Sequence, residues 1–591
     1  SSREGRAAGM GRPLRLGKGL LGFSKTIQKD YRNNVLQKRT ERHFDIVFCE
    51  QVIHPMLLEE ETFNKNGERM ADAFYSNLLY LNDENSKVFI PLTNKTLCEY
   101  DPDNPDNLIR KEIQETTIDP HHTGLFKYNN TISVIEVKKG VTDKPNVNTA
   151  GQCDYLTKTI TDYYANVINS WLINRPKMIT EIHHHAGDDT DITHSRRIIY
   201  NPSSPYQVES VIEIPGDGTN VEHPLTKKTE YQYDLTGNII SSTTITPYDD
   251  VPSRTETFEY GRMYGRRLLT EHTNAEGQVT KYKYHPVYNY RISMIDCNLL
   301  ETQYEQDPFG MTQTTTHPDG TTTTKALRWG HGGHYLWEKS TGQATTINDY
   351  ALTGENTRKQ SYAINGDLIK TVMEYDDYGR KVKETLIDYT GRSLQTIEYE
   401  YDKHHRIAGV KHSDGTHETI LHEGNCTTAS YHGLDGNLQT ESKTVNAMGW
   451  VIRSTDAEGN SVVYEHYPDG KPKWAQIEGQ EETRIEFNYD ANGNRTSLLD
   501  PDYGLTTDVY NAYGELTCQT APNQVTTHYR YDKLGNTIRR EETDNNSGQS
   551  SVTEWTYGST EGQKGLLLRV KNDEQDIHYK YDSFLHLQAI I

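Results

Sequence analysis

The chain is short of the residues from which solid cores are built. Only 34% of its 591 residues are apolar, and the mean hydropathy is -0.83. Counting the 44 glycines raises the total to about 41%, below the ~45–50% of an ordinary globular protein. A length like this suggests about four domains of ~150 residues, but compact domains need more apolar material than is present. No run approaches about 18 uninterrupted apolar residues, so no transmembrane helix is expected. The opening stretch SSREGRAAGMGRPLRLGKGLLGFSK has neither a continuous apolar segment nor an initiator Met. It therefore reads as the interior of a longer polypeptide, not as a signal peptide. Six cysteines (49, 98, 153, 297, 426 and 518) are scattered with no C-x-x-C. That spacing excludes a dense disulfide framework and predicts free, mostly buried thiols suited to a reducing compartment.

Disorder would account for a polar chain of net charge -22, but disordered chains are poor in aromatics. This one is 10% aromatic, and the split is lopsided, with 40 Tyr against 11 Phe. Tyr packs an apolar ring while its hydroxyl stays wet or hydrogen-bonded, so the composition describes many surfaces that are apolar on one side only. Residues 1–42 hold 11 Lys/Arg against 3 Asp/Glu. An acidic body behind that basic stretch speaks against nucleic acid as the main partner, since phosphate binding needs clustered positive charge.

Internal repeats decide the reading. Glycines 449, 470, 493, 514 and 535 are spaced 21, 23, 21 and 21 residues apart. The fullest copies are Tyr231-Gln-Tyr233-Asp234-Leu-Thr-Gly237-Asn, Phe487-Asn-Tyr489-Asp490-Ala-Asn-Gly493-Asn and Tyr529-Arg-Tyr531-Asp532-Lys-Leu-Gly535-Asn, with a shorter one at Asn511-Ala-Tyr-Gly514. Alternation puts Tyr529 and Tyr531 on one side of a strand and His528 and Arg530 on the other. Asp532 then starts a turn by accepting backbone N–H bonds from residues just ahead. Gly535 supplies the positive φ that the turn requires, and Asn536 tolerates left-handed geometry too. One unit is thus strand, tight turn and returning strand, with stacked tyrosine rings between units. Two such strands cannot bury a face alone, so units must pair edge to edge in one long antiparallel sheet. Few aliphatics and many tyrosines predict that this sheet encloses a hydrated space. Residues 1–225 carry the pattern less regularly, with strands expected at Val52–Glu59, Val88–Pro91 and Gln207–Pro215 and a polar turn at Asn82–Ser86. They read as a degenerate first third of the same architecture, and 226–591 as the repeat region proper.

The Y-x-Y-D-x-x-G-N units resemble the YD repeats of the Rhs family, which includes Rhs polymorphic toxins, the B and C subunits of Tc toxin complexes, and teneurins. The resemblance is clear over roughly 226–591. Earlier, Asn169-Ser-Trp-Leu-Ile-Asn-Arg-Pro176 is similar to an N-x-W-L-x-x-R-P stretch of Tc-type proteins, and Leu21-Gly-Phe-Ser-Lys25 is a weak match to a G-F turn that precedes it. In bacterial members the resemblance implies an all-β fold, a spiralling antiparallel sheet of hairpins that forms a hollow cocoon around a C-terminal toxic segment. It also implies release of that segment by aspartate-dependent self-cleavage at the end of the shell. Asp500-Pro-Asp-Tyr-Gly-Leu505 is superficially like such a site but falls inside the 21-residue register, where a turn is expected.

Other chemistry is thin. Glu181-Ile-His-His-His185 with Asp188 and Asp189 is the best metal-like cluster, because alternation would put His183 and His185 on one strand face. Zinc needs three or four convergent ligands, and no clear fourth exists, so an exposed strand end is the simpler reading. His331-Gly-Gly-His334 reads as a bulge or bend between aromatic anchors. The 24 histidines make acid-triggered opening or docking an expectation. No nucleotide, zinc-protease, hydrolase or calcium-loop motif stands in a fitting context. The expectation is therefore a non-enzymatic shell without cofactor or metal, part of a bacterial Rhs or Tc-type toxin. It would be made in the cytoplasm, then secreted or injected. Its partners would be an enclosed C-terminal effector and a delivery machine or companion toxin subunit, with no membrane span. The alternative is a YD-repeat recognition module binding glycans or a partner protein.

Overall fold

In the computed structural model, residues 155–591 are described except 165–171, 173–174, 187, 189, 250, 331–332, 342–344, 352–354, 363–365, 377 and 433–435. Before residue 155 the described residues are the strands that begin at Leu14–Leu16 and end at Ile132–Gly140, together with residues 24 and 66–68. The turn expected at Asn82–Ser86 lies outside them. Among the described residues the fold is all-β. Two single-turn 3-10 helices, Arg262–Tyr264 and Glu481–Thr483, interrupt it, and no helix is long and apolar enough to cross a membrane.

From Lys25–Arg32 to Leu587–Ile590, strands pair antiparallel with their neighbours in sequence, forming one continuous ribbon. Two short hairpins stand apart from it, Leu14–Leu16 with Gly19–Gly22 and Tyr80–Leu81 with Val88–Phe89. The ribbon bypasses the second of these by pairing Arg69–Asn77 directly with Leu92–Asp101. It also passes residue 225 without a break, since Ser204–Pro215 pairs with Lys227–Tyr233. Pairing in sequence order follows from short turns, which leave each strand no partner closer than the one it has just left.

The ribbon wraps around and meets itself. The turn after Ser204–Pro215 lies against the turn after Ile485–Tyr489, where the Asn492 side-chain amide donates to the Leu225 carbonyl. The turn after Ile239–Ile245 meets the one after Gly504–Tyr510, and the turn after Leu269–Thr273 meets the one after Val525–Tyr531. In each case the second turn lies twenty-three ribbon strands beyond the first. The same offset holds at the earliest contact, Asn64 with His404, and at the last, Asp319 with His586. One revolution is therefore twenty-three strands. At ~4.8 Å between strands the wall is at least about 110 Å around and roughly 35 Å across.

The wall is a single layer. Among the described residues the buried apolar side chains are Ala73, Cys98, Leu172, Ile214, Ala326, Ala447 and Ala512, too few for a core between packed sheets. The accessible surface is 34948 Å², against roughly 21,000 Å² for a compact monomer of this mass. The deficit of aliphatic residues thus corresponds to a sheet with no second sheet packed on its face.

Hairpin connections alternate between the two rims of the ribbon, and all the complete YD turns fall on one of them, called here the YD rim. From Lys227 onward, β-bulges concentrate beside that rim. Register slips immediately before Tyr233, Tyr260, Tyr284, Tyr375, Tyr401, Tyr489, Tyr510, Tyr531, Tyr557 and Tyr581. On the opposite rim the slip before Ile387 is the exception to an otherwise regular register. A bulge bends its strand and increases local twist, so bulging along one rim supplies a consistent coil from hairpin to hairpin.

Candidate functional site

The YD turn is a three-residue hairpin loop closed by a glycine bulge. At 532–536 the Gly535 amide donates to the Asp532 carbonyl at 3.2 Å, and the Asp532 amide donates to the Asn536 carbonyl at 3.0 Å. Asp532 Oδ1 accepts the amides of Leu534 and Asn536, both at 2.9 Å. Gly535 has φ +85°, in the left-handed region. The same bonds recur at Asp234 and Asp490. At Asn511-Ala-Tyr-Gly514 an asparagine oxygen replaces the carboxylate oxygen. Gly535 alone takes the left-handed geometry, and Asn536, which would tolerate it, keeps a negative φ. Its amide Nδ2 instead donates to the second carboxylate oxygen, at 2.9 Å in Asn536–Asp532 and 3.1 Å in Asn238–Asp234. Arg380 and Arg406 fill this role at Asp376 and Asp402 through Nε. Hydrogen bonds from Thr236, and then Asn238, hold the Asp234 carboxyl well below the usual carboxylate range.

In several units the second tyrosine ties its hairpin to the previous one. Tyr531 Oη donates to the Leu516 carbonyl at 2.7 Å, Tyr233 to Val208 at 2.8 Å, Tyr401 to Lys381 at 2.7 Å and Tyr581 to Leu567 at 2.9 Å. Burial raises the phenol pKa of Tyr233, Tyr489 and Tyr531. Tyr529 and Tyr531 are half-buried while His528 and Arg530 are exposed, and Tyr231 shares the half-buried face of Tyr233. Among the described residues the tyrosine pairs meet edge-on, not as the stacked ladder expected. Tyr467 meets Tyr489 edge-on at 5.6 Å and 90°, and Tyr264 meets Tyr284 at 5.5 Å and 75°. Edge-to-face contact suits the ring quadrupole and leaves the hydroxyl free to reach sideways to a carbonyl.

Where the two revolutions meet, YD-rim turns of the second dock on the opposite rim of the first. The Ala512 amide donates to Asp249 Oδ2 at 3.0 Å, and Tyr513 Oη donates to the Thr244 carbonyl at 2.9 Å. Arg254 lies 3.8 Å from the Tyr513 ring centroid and pairs with Glu515 at 2.5 Å. The Lys533 amide donates to Glu276 at 2.9 Å, and Asn298 exchanges two bonds with the Lys564 backbone. Farther along, Lys473 pairs with Asp188 at 2.6 Å, Asn446 donates to Tyr155 Oη at 2.9 Å, and Lys403 lies 3.6 Å from Glu68. The sequence shows some of these residues in motifs, as with Asp188 and Lys533, but none of the seam pairings, because each joins positions more than 250 residues apart.

Two cavities open on this seam. One of about 420 Å³ is lined by His194, Asp217, Tyr467, Asp469, Lys471 and Asp490. A second of about 460 Å³ shares His194 and reaches Glu213, Lys227 and Tyr513. Burial, and then the Lys471 charge, lowers the His194 pKa, and burial lowers that of His466. The histidine run does not converge as a ligand set. His183 pairs with Glu181 at 2.9 Å, His184 with Asp191 at 2.8 Å and His185 with Asp188 at 3.2 Å, so each ring has its own carboxylate. Asp189 lies outside the described residues.

Among the described residues, the three ligand-type side chains close enough to share an ion are Glu41, His43 and Glu61. Lys25 and Arg39 already neutralise Glu41. Asp500 caps a hairpin turn, accepting the amides of Asp502 and Tyr503 at 2.8 and 3.1 Å. His331 lies outside the described residues. Gly330 pairs with Gly333, the last register pair of the strands Thr322–Gly330 and Gly333–Thr341. Of Asn169–Pro176, Leu172 is buried, and the Arg175 guanidinium lies 5.5 and 5.3 Å from the rings of Tyr164 and Tyr200. Phe23 of the G-F match is outside the described residues. Cys98 is buried, whereas Cys297, Cys426 and Cys518 are only half-buried and unpaired, as a single-layer wall dictates.

No family model matches the chain. The Double-stranded DNA deaminase toxin A of Burkholderia cenocepacia (strain H111) is 30% identical over 149 residues, 24% of this chain and 10% of that protein. Solved structures share the fold over nearly the whole length. The crystal structure of TcdB2-TccC3 gives a TM-score of 0.66 at 11% identity, covering 96% of this chain and 39% of that one. TcdB2-TccC3 without its hypervariable C-terminal region gives 0.65 at 9%, covering 99% and 45%. A structure of the Photorhabdus luminescens Tc holotoxin pore gives 0.68 at 10%, covering 93% and 40%. The chain thus spans less than half the length of these structural relatives.

Proposed function

We propose that this chain is the wall of a cocoon in a bacterial toxin of the Rhs or Tc type, and that it sequesters a C-terminal effector before delivery. The observation that carries the reading is the single-layer ribbon wound at twenty-three strands per revolution, with a constant self-docking register from Asn64 to His586. A wall roughly 35 Å across leaves a lumen wide enough for polypeptide and too narrow for a large folded domain. The fold of TcdB2-TccC3 supports the same assignment. The mechanism is topological, since enclosure keeps the effector from folding and from reaching its target. On this reading the wall has no catalytic groups, and its partners are the enclosed segment and a delivery machine or companion subunit. The protein is made in the bacterial cytoplasm and then secreted or injected. Limited proteolysis and cryo-EM of the complete natural polypeptide test it. The expected result is a protease-protected C-terminal segment inside the wall. A folded, protease-accessible C-terminal domain outside an empty wall would overturn the proposal.

A further inference from the structure

Three Asn-Gly pairs occur in the chain, at 66, 365 and 492. Such a pair is prone to lose the asparagine amide, because glycine has no side chain to keep its nitrogen away from the neighbouring carboxamide. Asn365 lies outside the described residues. The other two pairs sit in turns of the same build. Gly67 and Gly493 have φ +85° and +84°, and their amides donate to the Asn64 and Asp490 carbonyls at 3.1 and 3.0 Å. Asn64 Oδ1 accepts the amides of Asn66 and Glu68, as Asp490 Oδ1 accepts those of Asn492 and Asn494. One contact separates the two. The Asn492 side-chain amide donates across the seam to the Leu225 carbonyl at 3.2 Å, whereas Asn66 has no such partner among the described residues.

The surroundings of Asn492 suit a neutral donor. Ala491 and Gly493 line one seam cavity and Asn492 the other, and together these cavities carry six carboxylates against the three cations Arg196, Lys227 and Lys471. Thr226, next to Leu225, is 1% exposed, so the turns pack closely here. A carboxylate at 492 would face the Leu225 carbonyl acceptor to acceptor, with no proton between them. We propose that Asn492 is a deamidation site whose conversion releases this stretch of the seam, and that docking itself delays the conversion. The Gly493 nitrogen loses its proton and attacks Asn492 Cγ, ammonia leaves, and the five-membered imide so formed takes up water. Opening at one carbonyl gives aspartate. Opening at the other gives isoaspartate, whose extra backbone carbon also moves Gly493 out of its turn. In the docked turn both reacting groups are held, the carboxamide by Leu225 and the Gly493 N–H by Asp490. The seam must open locally before the reaction proceeds, and the product no longer offers the donor that closed it, so the change runs one way. The proposal does not depend on what the wall encloses.

Its test ages the 591-residue chain in mildly alkaline buffer and follows both sites by peptide mass spectrometry, with enzymatic methylation marking isoaspartate. Asn492 should convert about fivefold more slowly than Asn66 in the folded chain, and the two rates should match in urea. Asp249→Ala removes the neighbouring seam contact, so it should speed Asn492 and leave Asn66 unchanged. Asn492→Asp stands in for the aspartate product. It should keep the exchange protection of mid-strand amides but lose that of the Thr226 amide, which lies under the docked turn and donates to the His223 carbonyl. Equal rates at Asn66 and Asn492 in the folded chain would overturn the proposal. So would an Asn492 rate indifferent to Asp249→Ala, full Thr226 protection in Asn492→Asp, or an Asn492 still intact when Asn66 has fully converted.

Discussion

At the scale of single residues, the YD turn is held by one carboxylate that serves several donors. Each part of the motif has a separate duty: aspartate oxygens accept, glycine supplies the backbone angle, and the next residue clamps the second oxygen. Not every hairpin has glycine in the left-handed slot. Gln524, at φ +68°, occupies it in the turn Ala521-Pro-Asn-Gln524 with its side chain exposed. A side chain there costs about 1 kcal/mol, so Gln524→Gly should stabilise this turn. The Ala521 amide, which donates to the Val525 carbonyl, should then exchange about fivefold more slowly. Unchanged or faster exchange would show that the position is not strained.

At the scale of the hairpin, the second tyrosine links one unit to the previous one through a carbonyl beside the bulge. The composition foretells the wet hydroxyl and the alternation but not the edge-on ring contact. That contact depends on where the bulge puts the ring, and the bulge is a property of the paired strands. Tyr531→Phe keeps the ring and removes the bond to the Leu516 carbonyl, so it should cost about 1 kcal/mol. Tyr529→Phe, at a phenol with no such partner, should change much less. Thermal melting of the two variants side by side checks this, and equal effects would mean that the phenol bond contributes nothing.

At the scale of the whole molecule, the ribbon and its seam are held by different forces. Inside the ribbon the bonds are mainly backbone amide to carbonyl, which do not titrate. Among the described residues, carboxylates serve at five of the eight places where the revolutions touch, namely Glu68, Asp188, Asp249 with Glu515, Glu276 and Asp319. Asn64 within the turn, and less strongly the Lys403 and His404 charges across the seam, lower the Glu68 pKa, while Thr321 within the turn, and less strongly the His586 charge across the seam, lower that of Asp319. A folded pKa below the unfolded one means that the stabilisation is present above the ordinary carboxylate range and lost as pH falls through the folded value. His194 and His466, half-buried beside the seam, are also lowered, and they too become unfavourable as acid charges them. Below about pH 4 the seam should therefore loosen before the ribbon does. Hydrogen exchange, corrected for its intrinsic pH dependence, should show the Ala512 and Lys533 amides losing protection while mid-strand amides keep theirs. Asp249→Ala should reproduce the Ala512 effect at neutral pH. Simultaneous loss in seam and strands would contradict a separable seam.

The local parts of this protein are legible in the sequence because they are built from neighbours. The Asp234, Asp490 and Asp532 turns, the glycine slots and the half-buried tyrosine face all depend on residues a few positions apart, so they repeat visibly every 21 or so residues. Composition adds that no solid core can form. The histidine run, by contrast, is readable only as a cluster, since its pairing with Glu181, Asp191 and Asp188 depends on how a turn folds back. The circumference of the wall and the seam it creates are decided only in three dimensions. Twenty-three strands per revolution comes from small twists and bulges summed over many hairpins, and no single residue encodes such a sum. Asp249 meets Ala512, and Glu276 meets Lys533, only because that sum brings one rim back onto the other.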